Sequence, residues 1–137
     1  MTRRDRTAAV VEPPYDALIA EMEHAAAGLP VGPASVIMFG SMARGEADAT
    51  SDIDVLFVRP DGVAETDEDW AASVQEWKDT VRRIAGNAVD VLEVGSEEIA
   101  TRLASGQGAW RDIRRQGLVI HGMNMDDLED RTDAGAR

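Results

Sequence analysis

Two acids, Asp52 and Asp54, stand two residues apart in the run "SDIDVLFV". Side chains at that spacing project to the same face of an extended strand. The pair therefore shares one side, while Ile53, Val55 and Phe57 share the other. Two carboxylates in a partly dry setting repel, and one must hold a proton unless a cation lies between them. Oxygen-only ligands suit Mg²⁺, which takes one or two carboxylates and completes its shell with phosphates and water. An isolated Asp-x-Asp is more often a solvated strand end, so the pair alone decides little.

The residues upstream shift that balance. Gly40-Ser41 follows the apolar run "ASVIMF" and opens a turn into a short helical stretch, "GSMARGE". A glycine there lets a phosphate approach the backbone, Ser41 offers a hydroxyl, and the amides of a helix start favour an anion. Ten residues separate Ser41 from Asp52, enough for a short helix that returns the chain to a neighbouring strand. A phosphate cradle beside a carboxylate pair is a coherent site for a metal-bound nucleotide.

These residues need a scaffold, and the periodicity supplies one. Leu18, Met22, Ala25 and Leu29 define one face of a helix from Tyr15 to about Leu29, which Gly28 and Pro30 stop. "ASVIMF" predicts a strand and "SDIDVLFV" the next, ended by Pro60-Asp61-Gly62. Thr66 is the expected N-cap of a helix with Trp70, Val74, Trp77, Val81 and Ile84 inward, closed by Gly86-Asn87. "AVDVLEV" predicts a third strand. Ser96 is the expected cap of a helix through Ile99 and Leu103; a short helix with Trp110 and Ile113 inward and a last strand "LVIHG" follow. Alternating strands and helices around one core define an α/β or α+β domain. We place that single domain at residues 13–122, after a flexible basic arm (1–12) and before an acidic disordered tail (123–137).

The totals limit the partners. The net charge of −12 opposes the basic footprint that general nucleic-acid binding requires, and suits a cationic acceptor or a basic protein surface. No apolar run approaches the roughly 20 residues of a membrane span, so no membrane role is expected. The absence of cysteine excludes disulfides and thiolate metal sites and fits a cytoplasmic setting.

"GSMARGEADATSDID" resembles the signature of the nucleotidyltransferases of the DNA polymerase beta superfamily, Gly-Ser, ten residues, Asp-x-Asp. The resemblance spans roughly Ser35 to Gly122, and the chain's length resembles that of the minimal members. It implies a small mixed β-sheet flanked by helices, two Mg²⁺ ions, and ATP or another nucleoside triphosphate as donor. It also implies a third carboxylate on a later strand. Asp90 of "AVDVLEV" is the best match, because Glu93 shares the face of Val89 and Val91. By that resemblance Asp52, Asp54 and Asp90 are the catalytic and metal residues. Gly40, Ser41, Arg44 and Ser51 attend the nucleotide, although Arg44 could instead pair with Glu46 or Asp48.

The motif says little about the acceptor. Small stand-alone members of the family resemble antitoxins that adenylylate a hydroxyl on a HEPN-type ribonuclease toxin, which makes a partner protein the first expectation. A small cation of the aminoglycoside kind is the alternative acceptor. A nucleotide-binding or partner-binding module without turnover is the alternative of another class. His24 and His121 have no companion at metal-ligand spacing. Arg111, Arg114 and Arg115 are expected to form a solvated helix face, as are Lys78, Arg82 and Arg83.

Overall fold

The computed structural model describes residues 13–45 and 51–135, with the side chains of 16–45 and 51–130. Helix α1 (Pro13–Ala27) leads into strand β1 (Ser35–Phe39), the short helix α2 (Gly40–Ala43) and strand β2 (Ile53–Arg59). Helix α3 (Glu68–Ala85) crosses to strand β3 (Val89–Gly95). Helices α4 (Ile99–Ser105) and α5 (Ala109–Gln116), strand β4 (Leu118–Gly122) and helix α6 (Met125–Gly135) complete the order.

The sheet runs β3-β2-β1-β4. β1 pairs antiparallel with both β2 and β4, whereas β2 and β3 are parallel neighbours joined through α3. The order explains the composition of the central strands. Val36, Ile37 and Met38 of β1 and Val55 to Val58 of β2 are buried on both faces, so they read as continuous apolar runs without alternation.

Strand parity divides the core in two. Ile53, Val55 and Phe57 join Met22, Trp70, Val74, Trp77 and Val81 on the side of α1 and α3. Leu56 and Val58 join Ile99, Leu103, Ile113 and Leu128 on the side of α4, α5 and α6. On the first side, Phe57 meets Trp77 edge-on with ring centroids 4.9 Å apart, and the Trp77 indole N–H donates to the Met22 carbonyl at 3.0 Å. Asp54 has the parity of Leu56 and therefore belongs to the second side.

Four sequence expectations are corrected here. The cap of α3 is Asp67, whose carboxylate accepts the Trp70 amide at 2.9 Å, not Thr66. Ile84 continues the apolar stripe of α3 in sequence but sits in its last turn, 44% exposed. Ser96 is not the cap of α4: its buried hydroxyl donates to Asp61, and α4 begins three residues later without a side-chain cap. The residues after Gly122 are not a disordered tail, since α6 occupies Met125–Gly135. Asn124 accepts the Asp127 amide at 2.8 Å as its cap, and Leu128 is fully buried against α4 and its neighbours. One leucine among many acids leaves no periodicity, yet its burial, with Met123 and Met125 packed beside it, docks the helix. The expected basic arm, 1–12, lies outside the described residues.

Candidate active site

The acids come together because of register. β1 ends at Phe39, which lies directly across from Asp54, so Gly40 starts its turn beside the Asp54 carboxylate. On the other side of β2, the parallel register sets Asp54 next to Asp90. Asp52 precedes the strand and is exposed. The entry to β2 is fastened to the α3–β3 turn: the Ile53 amide donates to the Ala88 carbonyl at 2.8 Å and the Asn87 side chain to the Ser51 carbonyl at 2.7 Å.

The electrostatics follow from this crowding. The Asp54 carboxyl is held above the ordinary aspartate value, first by burial and then by the negative charges of Asp90, Asp52 and Asp112. Three acids acting on a fourth form an environment that favours a cation, and the donor set is all oxygen, the chemistry of Mg²⁺. As the side chains stand, no three His, Cys, Asp or Glu residues among those described are gathered at metal-binding geometry. In charge and donor type the residues fit a divalent ion.

Gly40 is needed for two reasons. Its φ of +75° lies in the left-handed region that side chains disfavour, and a Cβ there would stand 2.6 Å from Asp54 Oδ2. Gly40→Ala is expected to destabilise the fold by about 1–2 kcal/mol. Activity should fall by about a hundredfold, because the intruding methyl displaces Asp54 by a fraction of an ångström to an ångström. Urea unfolding and a transfer assay on the same sample separate the two losses. A variant as active as the wild type would show that this close approach has no role.

Ser41 follows Gly40 in α2 and is half-buried, as is Ser51. Arg44 closes α2 as its C-cap and is exposed. Its guanidinium pairs with Asp112 at 3.3 Å; Glu46 and Asp48, the partners expected from sequence, lie outside the described residues. Glu93, the competitor for the third acid, faces away: it accepts the Trp70 indole N–H at 2.9 Å and pairs with Arg59 at 3.6 Å. The arginines of α5 lie on the exposed face expected of them, and Arg114 pairs with Glu129 at 3.5 Å.

Asp112 is the residue that sequence reasoning missed. It sits in "AWRDIRRQG", where charges alternate with inward Trp110 and Ile113, and no motif marks it. One carboxylate oxygen accepts the Gly40 amide at 2.9 Å and the other accepts from Arg44. Only the tertiary fold, which packs α5 against β1, α2 and α4, brings it to the turn.

The chain belongs to the nucleotidyltransferase domain family, whose pattern its sequence matches over residues 26–107. The fold is the α+β nucleotidyltransferase fold, and the family's chemistry is that of a transferase. The match takes in Gly40 through Asp90 and ends before Asp112. No curated protein matches the sequence. Among solved structures, the chain is similar to a toxin-antitoxin crystallised with AMP-PNP. The TM-score is 0.51 at 17% identity, covering 87% of this chain and 84% of that one. It is also similar to a mutant of the toxin-antitoxin MntA-HpeT, with a TM-score of 0.55 at 13% identity and 86% of each chain covered. At such identities the likeness is one of fold. Among the described residues, no helix is long and apolar enough to cross a membrane.

Proposed function

We propose that this nucleotidyltransferase moves a nucleoside monophosphate, AMP from ATP, onto a hydroxyl of a partner protein, as the antitoxin of a HEPN-type toxin pair. The observation that carries the transfer chemistry is the register that sets Asp54 beside Asp90 and across from the residue preceding Gly40. Fold likeness to toxin-antitoxin structures, one of them with AMP-PNP, supports the choice of donor and partner. The net charge of −12 supports an acceptor surface that is basic, and the lack of cysteine suits the cytoplasm.

In this reading Asp52, Asp54 and Asp90 hold two Mg²⁺ ions, which supply positive charge against the triphosphate when bound. The Gly40 amide and the Ser41 hydroxyl hold the β- and γ-phosphates, and Arg44 faces charge that develops on them. Ser51, anchored through its carbonyl by Asn87, fixes the approach of Asp52. The acceptor oxygen forms a bond to the α-phosphorus as the bond to the β-phosphate oxygen breaks. The acceptor's proton passes to Asp90, and pyrophosphate leaves with the electron pair.

The test is incubation of the purified chain with labelled ATP, Mg²⁺ and the protein encoded next to it. The label is expected on that neighbour and to be absent when Mg²⁺ is chelated. No transfer from any nucleoside triphosphate, with binding but no pyrophosphate released, would instead make the chain a non-catalytic nucleotide-binding module. The acidic surface also favours a second acceptor, a small cation of the aminoglycoside kind. A drug-resistance assay in a sensitive host separates that from the protein acceptor.

A further inference from the structure

We propose that Asp112 is part of the nucleotide site as an internal anion that competes with a triphosphate for the Gly40 and Arg44 donors. The proposal rests on the reading of Gly40, Ser41 and Arg44 as the phosphate cradle. The carboxylate comes from α5, 72 residues along the chain from Gly40, and it spends both oxygens on this cradle. Oδ2 accepts the Gly40 amide at 2.9 Å and Oδ1 accepts from Arg44 at 3.3 Å. A carboxylate and a phosphate offer the same kind of paired, charged acceptors, so donors arranged for one suit the other.

The position is a poor one for a merely structural acid. Asp112 is close enough to Asp54 to act on its carboxyl, so it adds a fourth negative charge to a site that already holds three. Its side chain is 28% exposed, whereas the neighbouring positions Arg111 and Arg115 on the same helix are exposed. A carboxylate stays among other carboxylates when its donors hold it there. Gly40 has a single N–H, which cannot serve Asp112 and a phosphate oxygen fully at once. Nucleotide entry is then an exchange of one anion for another, and the contact given up lowers the apparent affinity.

The test is the affinity for α,β-methylene-ATP with Mg²⁺, an analogue whose α–β bridge cannot be cleaved to release pyrophosphate, measured by calorimetry. Asp112→Asn keeps the shape and one acceptor oxygen but removes the charge, and Asp112→Ser removes charge in a second way. Both are expected to bind the analogue about tenfold more tightly than the wild type. Asp112→Glu, which keeps the charge, is expected to return towards the wild-type value. A gain in affinity is a result that damage to a structural brace does not give. Neutral variants that bind equally or more weakly, with the wild type binding normally, overturn the proposal and leave the cradle intact. Failure of every form to bind the analogue overturns the cradle and this proposal together.

Discussion

With Asp54 in the metal-holding role proposed for it, Asp54→Asn is expected to lower nucleotidyl transfer about a thousandfold, several kcal/mol at about 1.4 kcal/mol per tenfold. The same change is expected to raise the melting temperature of the metal-free protein at neutral pH. The sign follows from the carboxyl's environment. Burial first, then Asp90, Asp52 and Asp112, hold the Asp54 proton more tightly in the folded chain than in the unfolded one. Below the usual aspartate range, about pH 4, the group is protonated in both states and has no effect on stability. As pH rises past that range the unfolded chain ionises first, so stability is lost until the folded carboxyl also ionises. The penalty is complete once the folded carboxyl too has ionised, and asparagine is free of it. Melting curves of the two proteins should therefore converge in acid and separate towards neutrality. Mg²⁺ should narrow the gap by stabilising the wild type alone. A variant that melts lower than the wild type at pH 7, or keeps its activity, would refute the role assigned to this acid.

Trp77→Ala carries the largest expected loss of stability. The indole is fully buried on the side of the sheet away from the acids, edge-on to Phe57 and hydrogen-bonded to the Met22 carbonyl. Truncation leaves a cavity that α1, α3 and the sheet cannot all close, and it removes the indole hydrogen bond to the Met22 carbonyl. The expected cost is about 3–5 kcal/mol, against a total of about 5–15 kcal/mol for a domain. For a total of about 10 kcal/mol, urea unfolding should show a midpoint lowered by roughly a third to a half, with the slope unchanged if the unfolded ensemble is the same. The two substitutions thus move in opposite directions. One removes a charge that the fold tolerates for chemistry, the other a side chain on which the fold depends. A midpoint within error of the wild type would show that the cluster around Phe57 is not the main support of α3.

Strand parity made much of this legible in advance. Alternation in "SDIDVLFV" placed Asp54 opposite Val55 and Phe57, and the same argument set Asp90 apart from Glu93. The structure puts Asp54 and Asp90 side by side and turns Glu93 towards Trp70 and Arg59. Helix positions were readable for the same reason, because Trp70, Val74, Trp77 and Val81 repeat at the helical period and are buried. What stayed hidden depends on distant partners. Asp112 is one acid on an amphipathic helix, and its role arises only when α5 packs beside β1 and α2. Leu128 is the one leucine in a mostly acidic segment, and its burial needs the cluster that also holds Ile37, Leu56, Ile99 and Ile113, against which Met123 and Met125 pack. The capping hydroxyls misled because a serine before an acidic run can bond elsewhere, as Ser96 does with Asp61.

The sheet also sorts the three tryptophans, and that gives the molecule two optical channels. Trp70 and Trp77 belong to α3 and are buried against the sheet, remote in sequence from α5, so their emission tracks global unfolding. Trp110 is only partly covered and stands two residues before Asp112 on α5. Replacing the first two with phenylalanine would leave a single fluorophore on the element that touches the Gly40 turn, able to follow events there without an attached dye.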